Sequence, residues 1–231
     1  ARALPKLRHS ATQHLAEDGL SRERVLACAA RLLDLGFFRI GGEQLPDEQD
    51  ALAPLKTLTG WAQQMNRRML AELCMEYAMS TPLRYRVPLP GPTGESNTLV
   101  FAPRGMIACI ADDEAALLEQ IAAVLATGNQ VLLSGGSVSR LLVDMLPPAL
   151  SRQLRIEPDW IHAPIAIALY AGPVENAYLL RNELAARDGA RVPLITARGK
   201  DFPLYRLVAE RVVSVNTTAA GGNASLMTLG I

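Results

Sequence analysis

Cysteine, histidine and aromatic residues are scarce in this chain, and net charge is missing altogether. The three cysteines, Cys28, Cys74 and Cys109, stand far apart in 231 residues. They show neither metal-ligand spacing nor a near pair, so no disulfide framework is expected and a reducing compartment is the default. The three histidines, His9, His14 and His162, are scattered. His9 and His14 fall at i, i+5, which does not put both on one ligand-bearing helix face, so no metal site is read. No apolar run approaches the roughly 20 residues of a membrane-crossing helix, and no signal peptide opens the chain. Both absences make the cytoplasm the expected location. Lysine and arginine total 23, as do aspartate and glutamate, a balance that argues against nucleic acid as an overall partner. The charge is uneven, however: Arg2, Lys6, Arg8, Arg22, Arg24 and Arg31 face only Glu17, Asp18 and Glu23 in the first 31 residues. A solvated helix face accounts for these cations, with phosphate contact through Arg2, Lys6, Arg8 and Arg22 as the alternative.

What is present is a 49% hydrophobic chain with patterned elements, the composition of a globular protein of one large domain or two small ones. Val25, Leu26, Ala29, Leu32 and Leu33 share one helical face between an N-cap at Ser21 and a stop at Gly36. After the polar junction LPDEQD, a second helical region runs from about Ala51 to Met79. Pro82, Pro88, Pro90 and Pro92 then enforce an extended arm ending in a turn. From Thr98 the chain alternates. Thr98 to Phe101, Met106 to Ile110, Val131 to Leu133, Ile165 to Tyr170 and Val192 to Ile195 read as strands. Between them lie a helix capped by Asp112 or Asp113 and closed by Gly128-Asn129, one over Val138 to Leu146, and one opened by Pro173 and closed near Gly189. Strand and helix in this alternation give a parallel α/β fold over residues 98–200, because parallel neighbours need crossover connections.

Candidate chemistry is thin. Ser134-Gly135-Gly136-Ser137 sits between a strand and a helix, where backbone amides could hold a phosphate. It lacks the third glycine of a dinucleotide fingerprint and the lysine of a P-loop, so an ordinary turn is the better reading, with a residual nucleotide site as the alternative. Cys109, inside an apolar strand, reads as a small buried hydrophobe. Asp112-Asp113-Glu114 is explained by helix capping and the helix dipole. The tail VNTTAAGGNASLMTLGI, residues 215–231, is uncharged and carries apolar anchors, a composition that asks to be docked against something.

Three segments carry a resemblance. GPTGESNTL (91–99), LATGNQVLL (125–133) and VNTTAAGGNASLMTLG (215–230), in this order and spacing, resemble the C-terminal domain of long forms of proline utilization A. That family joins proline dehydrogenase to L-glutamate γ-semialdehyde dehydrogenase on one chain. The resemblance covers roughly residues 51–231. It implies a Rossmann-like parallel sheet of the aldehyde dehydrogenase superfamily type without activity of its own. Its terminal motif would pack on the neighbouring catalytic aldehyde dehydrogenase domain and help enclose the channel for the intermediate. The residues for that docking would be Asn216, Thr217, Thr218, Gly221, Gly222, Asn223, Leu226 and Met227. NAD and FAD belong to the parent family, and none is expected in this chain. Where a working aldehyde dehydrogenase has Trp-Asn-Phe-Pro, this sequence has Ala111-Asp112-Asp113-Glu114. Where such an enzyme continues with Lys-Pro, it has Ser134-Gly135. The catalytic asparagine and the region of the nucleophilic cysteine have no counterpart.

A second resemblance covers residues 1–44. Arg39-Ile40-Gly41-Gly42-Glu43 is similar to a motif near the start of the catalytic core of bacterial type IB DNA topoisomerases. It implies that Arg39 is the first active-site arginine, a cation for a phosphorane-like transition state. The family's remaining catalytic residues have no matching positions. The chain therefore divides into a helical topoisomerase-like appendage (1–44), a linker with helix and extended arm (45–97), an aldehyde dehydrogenase-like α/β domain (98–214) and a docking motif (215–231). The abrupt change of resemblance within the 41–50 junction suggests a fused or frameshifted reading frame. A DNA-binding topoisomerase fragment is the rival reading of function, and assembly of several copies is left open.

Overall fold

The computed structural model describes residues 51–92 and 94–216, all within one unit. Arg39 and the whole topoisomerase-like appendage lie outside the described residues. So do Thr217, Thr218, Gly221, Gly222, Asn223, Leu226 and Met227.

Two helices open the described chain, α1 (Ala53–Gln64) and α2 (Arg68–Ser80). The single helical region expected from about Ala51 to Met79 is thus broken. The break falls at Asn66, which takes the left-handed φ of 54°, a conformation that asparagine tolerates and that ends helical propagation. The extended arm that follows is not free. After a 3-10 turn, Pro82–Arg84, its residues form β1 (Arg86–Leu89), which pairs antiparallel with β2 (Glu95–Pro103).

The body is a five-stranded parallel sheet. Its strands are β3 (Met106–Ala111), β4 (Gln130–Leu133), β5 (Leu154–Ile156), β6 (Ile167–Ala171) and β7 (Leu194–Ile195), in the spatial order β5-β4-β3-β6-β7. All neighbours are parallel, as the alternation of strand and helix predicts. Helix α3 (Glu114–Ala126) follows β3, α4 (Ser137–Met145) follows β4, and α5 (Val174–Ala185) follows β6. Strand β6, IALYA, is buried at every position, which is why it reads as an unbroken apolar run rather than an alternation. Helix α3 is apolar almost all round because it is a middle layer. Ile121, Val124 and Leu125 are buried together with Ile107, Val131 and Leu133 of the sheet and with Leu58, Leu73 and Tyr77 of α1 and α2. The other face of the sheet, with Ala108, Leu132, Ala168 and Tyr170, is covered by Ala177, Leu180 and Leu184 of α5.

The last element of regular structure among the described residues is β8 (Val208–Asn216), a strand that the sequence pattern did not suggest. It pairs antiparallel with β2 along its whole length, from Pro103↔Val208 to Glu95↔Asn216. The second sheet therefore has the order β1-β2-β8, with β8 at its edge. Register places Val87, Leu99 and Val212 on one face, and Pro88, Thr98 and Val213 on the other.

Candidate functional site

Two places could carry function: the carboxyl end of the parallel sheet and the antiparallel sheet. The order β5-β4-β3-β6-β7 reverses direction between β3 and β6, and in open α/β sheets the crevice beyond the carboxyl ends at such a point is where ligands bind. Here the crevice is furnished with carboxylates and a tyrosine. Asp113 is the N-cap of α3, its Oδ1 accepting the Ala116 N–H at 2.7 Å. Glu114 in the first turn pairs with Arg67 at 2.5 Å, while the Arg67 guanidinium also lies 5.1 Å from the centre of the Trp61 ring. The positive end of α3, which could have faced a phosphate, is taken up by the chain's own carboxylates. On the β6 side, the Tyr170 hydroxyl donates to the Pro173 carbonyl at 3.2 Å. A Cβ on Gly172 would run into that hydroxyl and would come within 3.1 Å of Asp112 Oδ2. Tyr170 and Asp112 therefore crowd the mouth of the crevice.

The cation that reaches this end from beyond β7 is already engaged. Arg198 Nε donates to Glu119 Oε2 at 2.8 Å, the same oxygen that accepts the Gly199 N–H at 2.9 Å, and Arg198 Nη1 stands 3.7 Å from Asp113 Oδ2. The hydrogen bond to Glu119 is the main influence that raises the pKa of Arg198. The loop carrying it is fastened to α2 as well, since the Tyr77 hydroxyl donates to the Gly199 carbonyl and Lys200 pairs with Glu76 at 2.6 Å. The carboxylates at this end of the sheet, Asp113, Glu114 and Glu119, are thus paired with the chain's own Arg67 and Arg198.

The remaining candidates from the sequence behave as follows. Ser134 to Gly136 form the turn between β4 and α4, with Gly135 at φ +77°, where a Cβ would lie 3.3 Å from Pro158. Gly136 is the N-cap of α4, without a side-chain cap bond. Cys109 is fully buried, and burial alone drives its thiol pKa far upward, which removes thiolate character. His162 pairs with Asp159 at 2.7 Å on an exposed turn. Among the described residues no group of three or more His, Cys, Asp or Glu side chains converges as a metal site would, and no helix is long and apolar enough to cross a membrane.

The antiparallel sheet is the opposite of the crevice: open rather than filled. None of Glu95 to Pro103 is buried, and Val212, Val213 and Val215 of β8 are 57%, 49% and 52% exposed. Valines on both faces of a sheet, and along an edge that pairs with no further strand among the described residues, form a surface that natural proteins normally cover. Of the docking residues expected in the tail, Asn216 alone is described, and it closes β8 opposite Glu95. Sequence reasoning missed the eight residues before it. Their β-branched content was a legible strand signal, but their mixture of charged and apolar residues on each face hid it.

Comparison with known proteins bears on both places. No family model matches the chain. It is 44% identical over 181 residues to bifunctional protein PutA of Escherichia coli K12, which covers 77% of this chain and 14% of that protein. A crystal structure of Bradyrhizobium japonicum proline utilization A aligns with 78% of this chain and 22% of its own, with a TM-score of 0.52 and 22% identity. A substrate-bound Staphylococcus aureus AldH aligns with 66% of this chain and 42% of its own, at a TM-score of 0.51 and 11% identity. These two likenesses show the fold, an α/β fold of the kind found in PutA and aldehyde dehydrogenase structures. This chain spans only 14% of the length of its curated relative, and over about three quarters of its own residues it is a relative of one segment of bifunctional protein PutA.

Proposed function

We infer that residues 51–231 act as the non-catalytic C-terminal domain of a proline-catabolic bifunctional enzyme. In this reading the domain docks on the catalytic aldehyde dehydrogenase domain and helps enclose the channel through which L-glutamate γ-semialdehyde passes. The observation that carries it is the antiparallel sheet, which offers half-exposed apolar residues on two faces and a nine-residue edge at β8. An edge of this kind supplies main-chain hydrogen bonds to an added strand, and alternate side chains select the partner. The tail that follows β8 in sequence would add to the docking, with Leu226 and Met227 as anchors and Gly221-Gly222 for close backbone approach.

The crevice supports the non-catalytic half of the reading. Capping of α3 by Asp113, the pairing of Arg198 with Glu119, and the crowding by Tyr170 and Asp112 disfavour NAD, so the domain holds no cofactor of its own. Complementation tests the role. E. coli PutA truncated to lack the matched segment should lose aldehyde dehydrogenase activity or leak intermediate, and adding this chain should restore what was lost. Failure to restore either property, with the chain folded, would sink the reading. Excess NAD should leave the thermal midpoint of the chain unchanged, because any ligand that binds the native state raises it.

A further inference from the structure

The run LATGNQVLL (125–133) carried part of the resemblance, yet docking makes no use of it. Its turn, Thr127-Gly128-Asn129, is where the antiparallel sheet meets the body. Three connections join them: the Pro82–Arg84 turn leading to β1, Arg104-Gly105 between β2 and β3, and the 3-10 turn Leu204–Leu207 that enters β8. All three converge on this turn. Asn129 is 2% exposed. Its Oδ1 accepts the Gly105 N–H at 2.9 Å, and its Nδ2 donates to the Leu207 carbonyl at 2.8 Å and to Thr127 Oγ1 at 2.8 Å. Gly128, at φ +68°, leaves room for the other contacts, since a Cβ there would lie 3.0 Å from Pro103 Cγ and 3.2 Å from Leu83 Cδ1. Arg104 Nε closes the ring by donating to the Val208 carbonyl at 2.8 Å. The seat itself is rigid, because Thr127 Oγ1 donates back to the Ala123 and Val124 carbonyls of α3, each at 3.0 Å.

We propose that Asn129 is a positioning residue: it aims the antiparallel sheet relative to the parallel one and so sets the geometry with which β8 meets its partner. The benefit for docking rests on the function proposed above; the aiming does not. Leverage gives the reason. A strand rises about 3.3 Å per residue, so the far end of β8 stands roughly 25 Å from its base, and a tilt of about 10° at the seat carries that end about 4 Å. A displacement of that size is close to the spacing between neighbouring strands, enough to take an added strand out of hydrogen-bonding register.

Spin labels test the aim on the full 231-residue chain. With Cys28→Ser as background and labels on Ser214→Cys in β8 and Arg140→Cys in α4, both exposed positions, the native chain should give one narrow distance distribution. Asn129→Asp keeps the acceptor for Gly105 and loses the amide donor to Leu207. It should broaden the distribution while hydrogen exchange still shows β2 paired with β8. Arg104→Ala, at an exposed residue, should broaden it to a smaller extent, and stands as the test if Asn129→Asp does not fold. An unchanged distribution in the folded variants overturns the proposal. The same variants should bind the truncated E. coli PutA about tenfold more weakly, the scale of one lost buried hydrogen bond. Broadening with unchanged affinity overturns the claim that aim serves docking. If the native chain does not bind truncated PutA at all, the proposed function falls, and the distance measurement still judges the seat.

Discussion

The two sheets use similar residues in opposite settings. In the parallel sheet, β6 is buried from Ile167 to Ala171, and β3 and β4 are covered by α3 on one side. In the antiparallel sheet, Leu99, Phe101, Val212 and Val213 are as apolar, yet none is buried. The difference teaches where each set of residues finds its partners. The parallel strands are wrapped by helices that the same stretch of sequence supplies as crossovers. The antiparallel strands are met by the short 3-10 turns Pro82–Arg84 and Leu204–Leu207 and carry no crossover helix among the described residues, so their apolar residues stay half-exposed.

The contrast can be broken by mutation, beginning with the largest effect. Ile121→Ala, in the middle layer, should cost about 2–5 kcal/mol in urea unfolding, the range for a truncated core aliphatic. A cost near zero would mean that α3 is not the packed centre of the body. Alkaline pH should come next. Burial raises the Cys74 thiol from 9.0 to about 11 and drives Cys109 and Tyr77 further up. Because the unfolded chain ionises these groups first, their contribution to stability is complete below pH 9; that of Cys74 is lost as pH climbs through 9 to 11, and those of Cys109 and Tyr77 go on being lost above it. The urea midpoint should fall over that window, and a flat profile would show that the groups are not sealed in the core. Asp113→Ala, which removes the α3 cap, should cost about 1 kcal/mol, with Asp113→Asn retaining most of it because asparagine also caps. The smallest effect belongs to the other sheet. Leu99→Ala should cost about 1 kcal/mol or less in the free chain, and considerably more when stability is measured in complex with truncated PutA. An equal cost in both states would erase the distinction between the two sheets.

The parallel body was legible in the sequence because its signals are local. The Asp113 cap, the Gly128 stop and the apolar run ending at Tyr170 each lie within a dozen residues of the element they define. The rest depended on distance. Strand β8 finds its partner in β2, on the far side of the whole parallel sheet in sequence, and neither strand shows a clean alternation because both of its faces carry valine or leucine. Strand β5 is three residues long with an arginine at its centre, too short for a period to register. At the candidate site, the capping of α3 by an aspartate could be read from Asp112-Asp113. The crowding of Asp112 and Tyr170 at Gly172 could not, since it exists only once β3 and β6 lie side by side. Asn129 looked like no more than a helix stop because the carbonyl and amide it binds belong to residues remote in sequence, Leu207 and Gly105.

The register of β2 with β8 also fixes an order of events during synthesis. Glu95 to Pro103 are made before every strand of the parallel sheet, and the strand that pairs with them, Val208 to Asn216, is made after every one of them. The body can assemble as the chain emerges, since its strand neighbours are separated by single crossovers, whereas closing β2 onto β8 spans a long loop and is the slow, late kind of pairing. Until then β2 is held only by its hairpin with β1. Completion of the second sheet is therefore a record that translation has passed Asn216, and a chain stopped short of Val208 would keep its parallel core and lack the surface by which it is proposed to be recognised.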